Sequence, residues 1–87
     1  MLLFKDFILS FLSFGIKEIK LHDSGFQVIL LQQMLNKFDN TTEVNGYFDE
    51  KTEEAVKTIQ NAFSIEPTGI MSPENIVKLS KLIYGGE

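Results

Sequence analysis

Two stretches of this sequence repeat one order of residue types, NGYFDEKTEEAV from Asn45 to Val56 and TGIMSPENIVKL from Thr68 to Leu79. Gly46 aligns with Gly69, Phe48 with Met71, Asp49 with Ser72, Thr52 with Asn75 and Val56 with Leu79. Glycine supplies the positive φ of a sharp turn, the apolar residue two positions on points inward as an anchor, and Asp or Ser caps the helix that follows. Each copy therefore prescribes a turn, an anchor, a cap and a helix. In the first, Glu53 and Glu54 lie near the positive end of the new helix, while Ala55, Val56, Ile59, Ala62 and Phe63 form an inward face that ends around Ser64. In the second, Pro73 takes the first helical position, and Ile76, Val77, Leu79, Leu82 and Ile83 continue the apolar face until Gly85 and Gly86 stop it.

An earlier helix is expected from the segment beginning LHDSG. Ser24 and Gln27 have the spacing of a capping box, with Asp23 as the rival cap, and Val28, Leu31, Met34, Leu35 and Phe38 fall on one side, with Lys37 near the negative end. The polar run FDNTTEVNG breaks it, and IKEIKL reads as a short connector in front of it. Ahead of that connector, Phe4, Phe7, Ile8, Phe11, Leu12 and Phe14 make one broad apolar stripe ending near Gly15. The expected fold is all-α: an N-terminal amphipathic helix over residues 1–15, then a compact three-helix domain over residues 16–87. Lys5 and Asp6 interrupt the first apolar run and no small-residue cleavage site follows, so it does not read as a signal peptide. It is also short of the ~20 apolar residues that span a bilayer.

Function classes narrow by chemistry. A net charge of −4 with singly scattered lysines argues against nucleic acid, whose phosphate backbone requires clustered cations. The chain has no cysteine and one histidine, His22, so neither a thiolate centre nor a zinc site with its three or four ligands is expected. Glu50, Glu53 and Glu54 read as a solvated helix face, and glycosidic cleavage needs paired carboxylates across a cleft. No catalytic residues, metal or cofactor are assigned. The expectation is a protein that is not an enzyme.

From Leu21 to Leu82 the sequence resembles the peptidoglycan-binding domain that accompanies bacterial and phage cell-wall hydrolases. Gly25, Val28, Leu31, Gln32 and Leu35 match its first block. Asn45, Gly46, Phe48, Thr52, Ala55, Val56 and Gln60 match its second, and Ile65, Gly69, Pro73 and Leu79 its third. The sequence departs from the family pattern where Asn45 and Thr68 replace aspartates, where Asp49, Ser64 and Ser72 replace glycines, and where Asn75 replaces a threonine. The resemblance implies a non-catalytic module for peptidoglycan, by stem peptide or glycan, associated with the cell wall as part of a phage, phage-tail-like or lysis system. On that implication the contact lies beside the repeated turns, where helix-start amides would receive stem-peptide carboxylates. Tyr47 is the leading contact residue, with Asn45 and Asn61 behind it, whereas Gln32 and Gln60 are expected to hydrogen-bond loops. The alternative is an adaptor subunit that keeps the fold and docks a protein partner through Phe4, Phe7, Ile8 and Phe11. The same stripe packed back on its own domain would instead enlarge a small core.

Overall fold

The computed structural model describes residues 17–85. They form helices α1 (Phe26–Asp39), α2 (Glu50–Ala62) and α3 (Pro73–Tyr84), with no extended strand among them. The proposed N-terminal helix, with Phe4, Phe7, Ile8 and Phe11, lies outside the described residues. α1 is the central element, packing against both α2 and α3. Its buried residues Val28, Leu30, Leu31, Gln32, Met34 and Leu35 cover a wide face, as a helix with neighbours on two sides requires. Val56 and Ile59 of α2 and Ile76 and Leu79 of α3 complete the core with Phe48 and Met71 from the two turns.

The two helix starts follow the sequence pattern. Asp49 accepts from the Thr52 amide at 2.9 Å, and Ser72 accepts from the Asn75 amide at 3.1 Å with Pro73 behind it. α1 starts differently. Its N-cap is Gly25, which has no side chain to offer, and the expected capping box does not form: Gln27 Nε2 donates to the Ser24 carbonyl, and Asp23 accepts from the Lys20 amide. The α1 start is tied down by tertiary pairing instead, with the Gly25 amide donating to the Gly46 carbonyl at 3.0 Å.

That bond belongs to a strap the sequence pattern did not disclose. Residues 17–25 run antiparallel to both turns. Ile19 and Met71 exchange two backbone hydrogen bonds of 2.9 Å, while the His22 amide donates to the Phe48 carbonyl and the Phe48 amide to the Asp23 carbonyl. The strap buries Ile19 and holds His22 at φ 80, a left-handed conformation uncommon for a residue with a side chain.

The expected inward faces need correction at their margins. Val77 and Leu82 are each 50% exposed, and Ala62 is exposed as well. They border the buried stripe, and among the described residues α2 and α3 each meet one helical neighbour, α1, which covers a narrower face than α1 itself buries. Phe38, also half-exposed, is covered in part by Phe63, whose ring centre lies 5.7 Å away.

Candidate functional site

Two buried glutamine side chains hold the two turns. Gln32, from α1, donates through Nε2 toward the Tyr47 carbonyl at 2.9 Å and toward Asn45 Oδ1 and Thr52 Oγ1 at 3.1 Å. Its Oε1 accepts from the Asn45 and Gly46 amides at 2.9 and 2.8 Å. Gln60, from α2, repeats the arrangement one turn later. Its Nε2 reaches the Ile70 carbonyl at 2.9 Å, Asn75 Oδ1 at 3.1 Å and Thr68 Oγ1 at 3.3 Å, and its Oε1 accepts from the Gly69 amide at 3.0 Å. Residues aligned in the sequence repeat therefore make equivalent bonds. Gly46 and Gly69 sit at φ 82 and 80, which aims each amide at its glutamine; a Cβ on Gly69 would come within 3.0 Å of Glu53 Cγ.

Alternation along the short extended segment after each glycine then sorts the side chains. Phe48 and Met71 go fully into the core, and Tyr47 and Ile70 face out, 45% and 37% exposed. The Tyr47 hydroxyl lies 3.2 Å from His22 Nδ1, so the strap and the first turn present the two rings together. On the other side of Asn45, a groove of about 570 Å³ runs between the 39–45 loop and α2. Its walls carry Asp39, Glu43, Asp49 and Glu54 against one cation, Lys51. Asn45 belongs to both features: it lines the groove, and its Oδ1 accepts the Tyr47 amide at 3.0 Å.

Two of these carboxylates are held ionised. Burial pushes the Asp39 carboxyl up, but the Thr41 amide and the Thr42 hydroxyl and amide together outweigh it and lower its pKa. The Thr52 amide does the same for Asp49. A folded pKa below the ordinary 3.8 gives stability that is complete above that value and is lost as pH falls through the lowered one. Asp49→Asn and Asp39→Asn should thus flatten the acid side of the stability curve, read by urea unfolding between about pH 2 and 7. Asp49→Ala should cost about 1 kcal/mol at neutral pH through the lost cap.

Residues 24–79 match a family model whose description is "Putative peptidoglycan binding domain". The matched span covers α1, α2, both glutamine-held turns and the first half of α3. The chain belongs to the peptidoglycan-binding domain family. A similar solved structure is that of a peptidoglycan-binding protein from Clostridioides difficile in complex with glutamine hydroxamate, with 30% identity and a TM-score of 0.72. The similarity covers 77% of this chain and 42% of that one, so this chain spans less than half of that protein's length. No curated protein matches the sequence.

In this peptidoglycan-binding domain the amides of the turns themselves are used internally, whereas among the described residues no partner is seen for those of Glu50 and Lys51 at the start of α2 or Glu74 at the start of α3. Around the first turn the amides of Asn45, Gly46, Tyr47, Phe48, Thr52 and Glu53 all donate within the protein. Those of Gly69, Ile70, Met71, Asn75 and Ile76 do so around the second. The acidic groove adds repulsion toward a carboxylate. Tyr47 and Asn45 lie together at the first turn. Asn61 is exposed on the last turn of α2, roughly 16 Å along the helix from Glu50 by its rise of 1.5 Å per residue, so the structure does not bring it to the same place. His22, the chain's one histidine, is the neighbour that sequence reasoning missed. The signal for it is tertiary, through the strap, and no local spacing carries it.

Proposed function

We propose that this domain binds peptidoglycan without cleaving it and holds a larger assembly against the cell wall. The observation that carries the reading is the continuous polar surface made by Tyr47, Asn45 and the acidic groove, set on turns whose backbone is already hydrogen-bonded internally. Tyr47 offers a ring face and a hydroxyl to a sugar or peptide, and Asn45 and the groove carboxylates accept from hydroxyl, amide or amine groups. Membership in the peptidoglycan-binding family supports the ligand class. The absence of cleavage is favoured by electrostatics: glycoside hydrolysis needs a carboxyl kept protonated, and Asp39 and Asp49 are both shifted the opposite way. A phage, phage-tail-like or lysis system fits as the setting, because its parts reach the wall within a particle or on release.

Sedimentation with purified sacculi, of both lysine-type and diaminopimelate-type peptidoglycan, tests this. The protein should pellet with at least one of them and release no soluble fragments. Tyr47→Ala should weaken binding at least fivefold, about 1 kcal/mol, with the melting temperature shifted by no more than about 4 °C. Wild-type protein that stays in the supernatant at tens of micromolar would overturn the reading and favour the adaptor alternative.

A further inference from the structure

The paired hydrogen bonds between Ile19 and Met71 set a direction for the chain that precedes them. In an antiparallel register, each step back from Ile19 heads along one step forward from Met71, which points Lys17 toward Ser72 and the start of α3 at Pro73. Lys17, the first described residue, is therefore directed toward the amino end of α3. An apolar hollow of about 470 Å³ lies there, lined by Pro73 and Val77 one turn apart, with Glu74 and Lys78 beside them. Val77 is half-exposed despite its apolar side chain.

We propose that the apolar stripe of residues 4–14 folds back on its own domain and covers the Pro73–Val77 edge of α3. Three features of this chain select that occupant over a separate partner. The stripe of Phe4, Phe7, Ile8, Phe11 and Phe14 joins the fold next to the hollow, so only Gly15 and Ile16 separate it from Lys17, and a tether this short gives an effective concentration on the order of millimolar. As a helix the segment would be about 16 Å long, close to the roughly 18 Å of α3. Lys5 and Asp6 also supply charges opposite to those of Glu74 and Lys78.

The chain has no cysteine, so engineered pairs report proximity without background. In the full chain, Val77→Cys is combined in turn with Ser10→Cys and Ser13→Cys, which flank the stripe and leave every anchor in place, and with Lys51→Cys as an exposed control on α2. Under mild oxidation at micromolar protein, at least one of the two serine-position pairs should form an intramolecular disulfide at least ten times faster than the control. Disulfide-linked dimers as the main product, or no preference over the control, would overturn the proposal. Val77→Asp provides an independent readout: amide hydrogen exchange across residues 4–14 should quicken at least tenfold while α1 and α2 are unchanged, and unchanged exchange in residues 4–14 would count equally against it.

Discussion

Gln32→Leu is expected to destabilise the domain by about 3 kcal/mol, lowering its melting temperature by about 12–24 °C. Leucine fills similar space, so a cavity contributes little; the loss is in polar satisfaction. The Gly46 amide, itself buried, loses its acceptor, and the Thr52 hydroxyl and Tyr47 carbonyl lose a shared donor. A buried donor left without a partner costs about 1–3 kcal/mol. The Asn45 amide, at an exposed residue, can turn to water. Gln60→Leu likewise strands one buried amide, that of Gly69, but its hydroxyl partner Thr68 is exposed where Thr52 is buried, and that contact is 3.3 Å, so it should cost less, about 2 kcal/mol. Urea unfolding measures both differences, and hydrogen exchange at Gly46 and Gly69 identifies which turn opens. Equal losses from the two substitutions would show that the glutamines are not acting each on its own turn. Gln32→Leu should also weaken sedimentation with sacculi at temperatures where the protein is still folded, because Tyr47 and Asn45 are both placed by that side chain.

The repeated turn and helix start were legible in the sequence because their chemistry is local. A glycine, an apolar residue and a cap within four positions act on each other directly, and Asp49, Ser72, Phe48 and Met71 all do what their residue types imply. The role of Gln32 and Gln60 as loop partners was also readable, since a polar side chain on an apolar helix face must find hydrogen bonds. What escaped is non-local. Ser24 and Gln27 carry the spacing of a capping box, yet the pairing of Gly25 with Gly46 starts the helix one residue later and leaves Ser24 bridged to Tyr47. Ile19 sits in a mixed connector whose periodicity says nothing, and only its pairing with Met71 buries it. Val77 and Leu82 satisfy a helical period but lie on the borders of the buried stripe, where period alone does not say how wide a face the neighbours cover. For the candidate site, Tyr47 and Asn45 could be named from their place beside a turn. His22 could not, and the internal use of the turn amides was invisible for the same reason.

Phe48→Ala should remove about 4–5 kcal/mol, at the upper end of what a buried phenylalanine contributes. The cost of such a truncation depends on how far the surroundings collapse into the space left behind. At Phe48 collapse is opposed, because its amide and carbonyl are both tied to the strap, at 2.9 Å to Asp23 and 2.8 Å to His22, and the preceding carbonyl is tied to Gln32. The backbone is thus pinned at the edge of the cavity. For a domain whose total stability is on the order of 5–10 kcal/mol, that loss removes roughly 40% of it or more. Tyr47→Ala, one residue away, should change stability by no more than about 0.5 kcal/mol, since its ring is half in water. Urea titrations of the two variants, run beside the sacculus assay, separate what the fold requires from what the ligand requires. If Phe48→Ala costs under about 2 kcal/mol, the turn can slide inward. In that case the Gln32 and strap hydrogen bonds do not hold the Tyr47 surface in a fixed position, and the binding site would have to be ordered by the wall polymer itself.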